Sequence, residues 1–528
     1  MSNPLVTSVR NTGRGVRVVN NSGGEAIKIS DEQRFRRFLT IGTTGGTFYA
    51  SEQTITAENV AFAKKYVAAN PAHAVEIAAE VSDKGLAYRN SPAILTLAIA
   101  FSLGDNVATA AAKQNFNKIV RIPTHLFEFA DYIEAMSGWG RAKRSAVANW
   151  YSSKTDNNLA YAVAKYRQRN GWTHRDMWRL SHPVGINSAV GNFVLNGEIA
   201  DEAPFSIKLF GQLQAAKSES EVCKIIEAAG SNVAWEFVPT EFLTSPAVWN
   251  SLFYADALNG QALIRNLTRM SKNGALDGMR MAGDVGAKLA DVEMIKRTRL
   301  HPMNYFLAIN STVGYERYDY YSSSRPRSKT VNSFPDKVMA GLEDGFYASF
   351  KNVKPSGRNT LVAVDVSGSM GWSYANGVEA TPSTLSAVLA MVIARSEPYA
   401  EIVGFSSGLR NLNITSKTSL DQALKNVKNA TFGGTDVSAA VRHANNNPQA
   451  GIESIVIITD NETNYGSGSV EAELRKLRSR VNDATIAVVG MTATHFGVID
   501  ESDRRSLNVA GFSSDAPSVL ADHAAGRL

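Results

Sequence analysis

The spacing of apolar residues changes along the chain near residue 360. From about residue 56 to residue 300 they recur every three or four positions, so that Ile94, Leu97 and Phe101 share one face of a helix. Beyond residue 360 they form short unbroken runs that alternate with helical stretches. The pattern predicts a helical domain over residues 31–358 and an α/β domain over residues 359–528, preceded by a flexible polar segment at residues 1–30.

The first domain is predicted to consist of many short helices. Thr56 is a candidate cap for a helix that ends before Pro71, and Ser91 followed by Pro92 is a typical helix start. No strand pattern interrupts residues 56–300, and no fixed period relates the helices. This favours an α-solenoid of the HEAT type, with a compact all-helical domain as the alternative. Further helices are predicted at 126–135, 142–151, 158–169, 173–182, 219–229, 247–259, 261–270, 285–299 and 335–350.

The second domain is predicted to be a doubly wound α/β fold. Its apolar runs are unbroken, as in strands of a parallel sheet that is buried on both faces. The ligand site of such a fold lies at the carboxyl ends of the strands, where the strand order reverses. Strands are predicted at 361–367, 401–407, 454–460 and 485–491, and helices at 383–395, 419–430, 438–446 and 470–481.

Composition narrows the class of protein. The 528 residues are 44% hydrophobic and 20% charged, which is ordinary for a globular protein. A single cysteine, Cys223, excludes an intramolecular disulfide and a cysteine-based zinc cage, and it suits a reducing compartment. We find neither a signal-peptide core nor an apolar run that could span a bilayer, and therefore expect a cytoplasmic protein without membrane association.

The charge is distributed unevenly between the two domains. Residues 359–528 contain 13 Lys and Arg against 17 Asp and Glu, a net charge of −4, whereas residues 1–358 have a net charge of +10. A polyanion would therefore bind the helical domain and be repelled by the α/β domain.

The most basic stretch is residues 165–182, KYRQRNGWTHRDMWRLSH, whose only carboxylate is Asp176. We predict two helices joined by a turn at Gly171, with Thr173 and Asp176 as a capping box at the start of the second helix. His174 is counted among the titratable cationic side chains of this stretch.

Helical spacing predicts two cationic ridges on this stretch. Lys165 and Arg169 would share a face of the first helix, and Arg175, Arg179 and His182 a face of the second. The stretch is either a solvated basic surface or a docking site for a polyphosphate, with nucleic acid as the first candidate.

Other basic residues extend the same region. Lys118, Arg121, Arg141 and Arg144 precede the basic stretch. Residues 1–30 are predicted to be a frayed tail, with an RNA-contacting arm as the minority interpretation. Residues 314–330, rich in Tyr, Ser and Arg, are predicted to be a linker or surface loop, and the glycine-rich segment 42–50 a turn.

Polar residues lie where the α/β fold predicts a ligand site. Asp365, Ser367 and Ser369 follow the first predicted strand, Thr435 lies in a loop after two glycines, and Asp460 ends a later strand. Two carboxylates and three hydroxyls form an all-oxygen set that suits Mg²⁺, with Mn²⁺ or Ca²⁺ as alternatives. The alternative is a purely structural role, in which the serines only cap the following helix. Nothing in the sequence indicates a catalytic triad or a phosphate-binding loop.

These residues resemble the metal-ion-dependent adhesion site of von Willebrand factor A domains. The helical domain resembles the TROVE module of the Ro 60-kDa autoantigen family, and the order of the two modules is specific to that family. The composition and the short stretch after His182 indicate a bacterial member. Besides residues 165–182, the matching phrases are GGTFYA (45–50), RIPTHLFEF (121–129), WGRAKRSAVANWY (139–151), LIRNL (263–267) and DNET (460–463).

The resemblance implies a ring. HEAT-like repeats would surround a basic central hole that the A domain closes. A small noncoding Y RNA would bind the outer surface, with Lys165, Arg169 and His182 at the family's contact positions, and single-stranded 3′ ends of misfolded RNA would enter the hole. The resemblance also implies a monomeric ring, a role in RNA quality control and a 3′-to-5′ exoribonuclease as partner.

Three hypotheses follow. The favoured one is a non-enzymatic RNA-binding scaffold that uses nine basic side chains. The alternative is a Mg²⁺-dependent adhesion module for proteins, in which RNA binding is secondary. A metal-dependent nuclease is disfavoured, because a single metal site on the acidic domain is poorly placed for RNA. The nine side chains are Lys118, Arg121, Arg141, Arg144, Lys165, Arg169, Arg175, Arg179 and His182.

Overall fold

The computed structural model describes the chain with several gaps. The described residues are 17–19, 25–28, 30–41, 52–85, 87, 90–312, 316–317, 327–328, 332–371, 380–430, 433–460, 469–491, 496–499, 505–510 and 516–526. The predicted turn at 42–50, most of the predicted tail and most of 314–330 lie outside these residues.

The first part of the chain is an array of helices. None of the helices in the described residues is long and apolar enough to cross a membrane. The helices are α1 (Asp31–Ile41), α2 (Glu52–Ala69), α3 (Pro71–Asp83), α4 (Ser91–Ser102), α5 (Asn106–Ile119), α6 (Pro123–Met136), α7 (Arg141–Ser152), α8 (Asp156–Lys165), α9 (His174–Ser181), α10 (Ser188–Asn196), α11 (Phe205–Ala215), α12 (Glu219–Ala229), α13 (Pro246–Tyr254), α14 (Gln261–Lys272), α15 (Met279–Ala290), α16 (Val292–Arg297), α17 (Pro302–Asn310) and α18 (Asp336–Ser349). The strands are β1 (Arg17–Val19), β2 (Glu25–Lys28), β3 (Gln168–Arg169), β4 (Trp172–Thr173), β5 (Glu316–Arg317) and β6 (Arg327–Ser328).

The helices stack in the way that paired helical repeats do. Each of α1 to α5 packs against the helix two places further along the chain, and α7 packs against α9. Neighbouring helices such as α3 and α4 also pack against each other. This arrangement is that of stacked helical pairs and confirms the HEAT-like prediction over the compact alternative.

Several predicted helix boundaries are wrong, and local caps give the reason. The helix assigned a cap at Thr56 begins at Glu52, and α4 has Asn90 as its cap residue because Ser91 is already helical. The single helix predicted at 285–299 is two helices, since the side chain of Asp291 accepts a hydrogen bond from the Glu293 N–H and starts α16.

A β-hairpin interrupts the helices within the basic stretch, where no strand was predicted. Helix α8 ends at Lys165, and β3 pairs antiparallel with β4. Asn170 and Gly171 between them both have positive φ, 53° and 80°. Two such residues in succession form the type I′ turn that matches the twist of two antiparallel strands. Arg169 therefore lies on a strand, and the predicted helix over 158–169 is wrong at its end.

The second part of the chain is the predicted α/β domain. Its sheet has the order β13-β11-β10-β7-β8-β9, in which only the edge strand β9 is antiparallel. Strands β9 and β13 and helix α23 were not predicted. The elements are β7 (Thr360–Asp365), α19 (Pro382–Ser396), β8 (Ala400–Phe405), β9 (Leu409–Asn411), α20 (Leu420–Asn429), α21 (Ser438–Asn446), β10 (Ser454–Thr459), α22 (Val470–Arg480), β11 (Thr485–Gly490), β12 (Phe496–Gly497), β13 (Ser506–Ala510) and α23 (Ala516–Ala524).

The hydrophobic core does not divide at the domain boundary. One face of the sheet, with Val362 and Val364, joins α19 and helices α11 to α18 in a single buried cluster. The other face, with Leu361 and Ala363, packs against α21 and α22. Helices α1 to α10 form most of a separate cluster. The α/β domain is therefore built into the second half of the helical array.

Segments from the first and last parts of the chain meet, which closes the array into a ring. Strands β1 and β2 form a sheet with β12, in which Lys28 lies opposite Phe496. Helix α1 also contacts β13 of the α/β domain. Residues 17–19 and 25–28 were predicted to belong to a flexible tail; this is wrong for them, because they pair as strands. Similarly, β5 and β6 form an antiparallel pair within the predicted loop at 314–330.

Helices α15 and α18 cross with their backbones in contact. A Cβ atom on Gly341 would collide with the backbone of Gly286, including its carbonyl oxygen, and a Cβ on Gly345 would collide with the Leu289 carbonyl oxygen. Gly341 and Gly345 lie four residues apart and so share a helix face. Close packing of α18, which leads into β7, therefore requires residues without side chains here.

We expect Gly341→Ala to destabilise the protein, because the added methyl group must push two backbones apart. The expected loss is ~1–3 kcal/mol in the free energy of unfolding, measured by chemical denaturation. Gly283→Ala is the matched control in α15, since nothing lies within 4 Å of its added Cβ. The control should gain up to about 1 kcal/mol from helix propensity. Equal effects of the two substitutions would contradict this account of the crossing.

Candidate functional site

The nine basic side chains singled out by the sequence lie on α5 to α9 and the segments between them. Eight of them are exposed, and Lys165 is half-buried. Among the described residues, Lys165 alone of the nine makes an ion pair. Some basic residues elsewhere in the helical array are paired; for example, Arg36 binds Glu32 and Glu80. The other eight of the nine are exposed and lie at ion-pair distance from no carboxylate of the described residues.

Arg121 and Arg169 lie near His125, in the first turn of α6. Burial, with smaller contributions from the charges of Arg121 and Arg169, lowers the pKa of His125 to about 4. Asn90 fixes this ring, with 3.1 Å between its Nδ2 and the His125 Nδ1. The hairpin β3–β4 packs against α6, which places Arg169 there. Two positively charged side chains thus lie near one neutral imidazole.

Lys165 faces away from this pair. Its Nζ lies 3.6 Å from a carboxylate oxygen of Glu236 and donates a hydrogen bond to the Tyr161 hydroxyl. Burial alone would lower the pKa of Lys165, but Glu236 and the neighbouring tyrosines outweigh it and raise the pKa. The predicted shared face of Lys165 and Arg169 is therefore wrong, because the helix ends between them.

Helix α9 presents the second predicted ridge. Thr173 and Asp176 form the predicted capping box, with 3.2 Å between the Asp176 N and the Thr173 Oγ1 that accepts its hydrogen bond. Arg175 and Arg179 are exposed on one face, while Met177 on the opposite face is buried. This part of the prediction is confirmed.

Two histidines at the ends of α9 have different environments. His182 is exposed at the C-terminal end with φ of 49°, so it continues from Arg179 in a left-handed cap and not in the helix itself. His174 is buried and hydrogen-bonded through Nδ1 to the Tyr151 hydroxyl at 2.7 Å. Burial lowers the pKa of His174 to about 3. His174 is therefore neutral and adds nothing to the cationic surface, contrary to the prediction.

Arg141 and Arg144 occupy the first turn of α7, and Lys118 the last turn of α5. No side chain caps α7, whose cap residue is Gly140. Cations at a helix N-terminus oppose the helix dipole, so Arg141 and Arg144 do not stabilise α7. The intervening Lys143 is buried instead, and its Nζ donates to the Gly138 carbonyl at 2.7 Å.

The five predicted metal ligands lie at the carboxyl edge of the sheet. Asp365 ends β7 and Asp460 follows β10, and these two strands are neighbours at the point where the strand order reverses. Both carboxylates are buried, as are Ser367 and Thr435. The loop with Thr435 is attached to this edge by the Asp436 N–H, which donates to the Ser406 carbonyl at 2.7 Å.

Hydrogen bonds orient the first carboxylate of this group. Asp365 accepts from the Ser367 N–H at 2.9 Å and from the Thr459 hydroxyl at 2.7 Å. The Ser367 and Ser369 hydroxyls lie 3.0 Å apart. Burial and the nearby Asp460 carboxylate raise the pKa of Asp365 above its usual range, against the lowering effect of these hydrogen bonds.

This donor set fits a hard divalent cation. No three His, Cys, Asp or Glu side chains come together as a metal cage in the described part of the chain. The edge of the sheet instead offers two carboxylates that repel each other, with hydroxyls beside them. A cation would neutralise that repulsion, and oxygen-only ligands favour Mg²⁺, Mn²⁺ or Ca²⁺.

Three residues of these sites were missed from the sequence. Thr459 orients Asp365, Ser406 lies beside the Thr435 loop, and His125 lies near two arginines. Thr459 and Ser406 are polar residues at the carboxyl ends of predicted strands, so the rule that selected Asp365 and Asp460 could have found them. No sequence pattern distinguishes His125, which depends on the hairpin for its neighbours.

Comparison with protein-family models gives two matches that together span most of the chain. The TROVE domain matches residues 18–199 and 207–334, and the Ro60 vWA domain matches residues 359–524.

Individual proteins agree with the family models over nearly the full length. The chain is 31% identical to the RNA-binding protein RO60 of Deinococcus radiodurans, over 97% of this chain and 96% of that protein. It is 28% identical to the RNA-binding protein RO60 of Caenorhabditis elegans, over 97% of this chain and 90% of that protein. The crystal structure of the Deinococcus radiodurans RO (RSR) protein superposes with a TM-score of 0.70 at 30% identity, covering 94% of this chain and all of that one. The chain therefore belongs to the Ro60 family, with a TROVE domain followed by a Ro60-type von Willebrand factor A domain.

Proposed function

We propose that this chain is a non-enzymatic RNA-binding scaffold. Its basic outer surface would bind a small structured noncoding RNA of the Y RNA type. Single-stranded 3′ ends of misfolded RNA would enter the hole of the ring, in a process of RNA quality control. Two relatives over nearly the full length are named as RNA-binding proteins, which supports the class of ligand.

The observation that carries this proposal is the group of basic side chains on and between α5 to α9, eight of which make no ion pair among the described residues. Arg121 and Arg169 both act on the His125 ring, and neither makes an ion pair among the described residues. Two positive charges near one ring add to each other's potential, and a phosphate bound there would be attracted by both. The neutral His125 could donate or accept a hydrogen bond or stack on a base.

The remaining basic residues extend this contact. Arg175, Arg179 and His182 on the α9 ridge, with Arg141, Arg144 and Lys118, would bind further phosphates along a folded RNA. Lys165 would contribute less than its neighbours, because Glu236 already compensates its charge. The closed circuit of contacts from α1 to β13 supports a ring around which an outer and an inner RNA can be bound separately.

The scaffold would present RNA to another protein. We propose a 3′-to-5′ exoribonuclease as that partner and a single ring as the working unit, located in the cytoplasm. The metal site would serve this purpose: Asp365, Ser367, Ser369, Thr435 and Asp460 would bind Mg²⁺, Mn²⁺ or Ca²⁺. With only two carboxylate ligands, the cation would retain affinity for a carboxylate of a partner protein.

The RNA surface is tested by replacing two arginines. Arg121→Gln combined with Arg169→Gln should weaken binding of a tailed stem-loop RNA ~10-fold or more and reduce the slope of log K against log salt by about 2, since each arginine neutralises one phosphate. Filter binding or fluorescence anisotropy over a salt series measures both quantities.

The matched control removes the same charge from the acidic domain. Lys417 and Arg475 are exposed there and make no ion pair among the described residues. Lys417→Gln with Arg475→Gln should leave the salt slope unchanged. If both double variants bind RNA like the unaltered chain, the α5–α9 surface is not the RNA site, and a chain that binds no structured RNA at low salt refutes the whole proposal.

Metal binding should weaken as the pH falls. Because burial and Asp460 raise the pKa of Asp365, protons compete with the cation for that carboxylate over a higher pH range than for an ordinary aspartate. We expect tighter Mg²⁺ binding at pH 8 than at pH 6 by isothermal titration calorimetry, and none in Asp365→Ala. The same raised pKa makes the metal-free folded state less stable as the pH rises. Because Mg²⁺ should bind more tightly at pH 8 than at pH 6, it should also raise the Tm more at pH 8. Equal affinities at the two pH values would contradict this assignment.

A further inference from the structure

Ser406 is a buried hydroxyl at the same edge of the sheet as the metal ligands. It follows β8, whose last residue, Phe405, lies opposite Asp365 in the register of the sheet. Its side chain is fully buried, whereas the next residue, Ser407, is exposed. Ser406 therefore lies one strand away from the first carboxylate of the metal site.

The backbone of Ser406 is fixed on both sides. Its N–H donates to the Gly408 carbonyl at 2.9 Å, and its carbonyl accepts from the Asp436 N–H at 2.7 Å. A Cβ atom on Gly433 would lie 3.5 Å from the Ser406 Oγ. The hydroxyl thus faces the loop that carries Thr435, in a position that the surrounding hydrogen bonds determine.

Among the described residues, the Ser406 hydroxyl has no hydrogen-bond partner, which sets it apart from the hydroxyls around it. Thr459 donates to Asp365, Ser438 donates to Asp436, and Ser367 contacts Ser369. A buried hydroxyl without a partner is less favourable than one that is hydrogen-bonded. Such a group at the edge of a polar site indicates a partner that arrives with the ligand.

We propose that Ser406 is a positioning residue of the metal centre, whose Oγ hydrogen-bonds a water molecule of the bound cation. This inference rests on the proposed metal site. Mg²⁺ keeps several of its waters when it binds a protein, and an ordered water needs two or more polar partners. The metal ligands would be polar partners of such a water on one side. The Ser406 hydroxyl would be a further partner on the side of β8.

The test compares Ser406→Ala with Ser407→Ala, which removes an exposed hydroxyl from the same loop. Mn²⁺ titration followed by the electron paramagnetic resonance signal of free Mn²⁺ reports the dissociation constant without any activity assay. Ser406→Ala should weaken Mn²⁺ binding about 10-fold. This is the lower end of the 10–100-fold loss that is typical when a residue hydrogen-bonded to a metal-bound group is removed. Ser407→Ala should bind as tightly as the unaltered chain.

Stability without metal separates this role from a structural one. In EDTA the Tm of Ser406→Ala should equal or exceed that of the unaltered chain, because the substitution removes an unsatisfied buried hydroxyl. A lower Tm in EDTA would mean that Ser406 supports the fold itself, and would overturn the inference.

Asp365→Ala distinguishes failure of the inference from failure of the proposed metal site. If the unaltered chain binds Mn²⁺, Asp365→Ala does not, and Ser406→Ala binds normally, Ser406 alone is misassigned. If the unaltered chain binds no Mn²⁺, the metal site is refuted and the role of Ser406 with it.

Discussion

Electrostatic repulsion between like charges is the constraint that both sites of this chain share. Asp365 and Asp460 are buried close enough for one charge to raise the pKa of the other carboxyl. Arg121 and Arg169 are both close enough to His125 for their positive charges to lower its pKa. Side chains free to move would separate, so the surrounding structure must hold these groups in place. A binding partner of opposite charge then gains the energy of relieving the repulsion.

The α/β domain and the helical domain position their charged side chains with different secondary-structure elements. In the α/β domain, parallel pairing of β7 with β10 fixes where both aspartates emerge, and the buried sheet cannot shift without breaking its register. In the helical domain, a two-residue turn lets β3 pair with β4, and this hairpin packs on α6 with Arg169 on β3. The first site is buried and suits a small cation, whereas the second is open and suits an extended polyanion.

The ring depends on two junctions at which the helical domain contacts the α/β domain. Helix α19 of the von Willebrand factor A domain shares one hydrophobic core with helices α11 to α18, and the glycine-dependent crossing of α15 and α18 lies within that core. At the other end, β12 pairs with β2 through a few residues only. One junction is thus an extended apolar core and the other a short sheet, so the two differ in the apolar area that would have to be exposed to open them.

Local patterns in the sequence determined the elements and much of the chemistry. The change from helical spacing to unbroken apolar runs marked the two domains, and the capping box at Thr173 and Asp176 was evident from residue spacing alone. The predicted metal ligands followed from the rule that ligands bind at strand ends, since β7 and β10 were recognisable as buried strands.

Only the tertiary structure decided which charges remain free. Lys165 and His174 are basic in the sequence, but Glu236 neutralises the charge of one and burial removes the proton of the other. The pairing of β2 with β12 could not be predicted, because most of the sequence separates the two strands and local patterns carry no information over that distance. Helical periodicity likewise could not reveal the hairpin turn at Asn170 and Gly171, because the two strands of this hairpin pack on α6, which is distant in the sequence. The sequence alone determined which side chains could serve, and the packing of distant segments decided which of them are in position to do so.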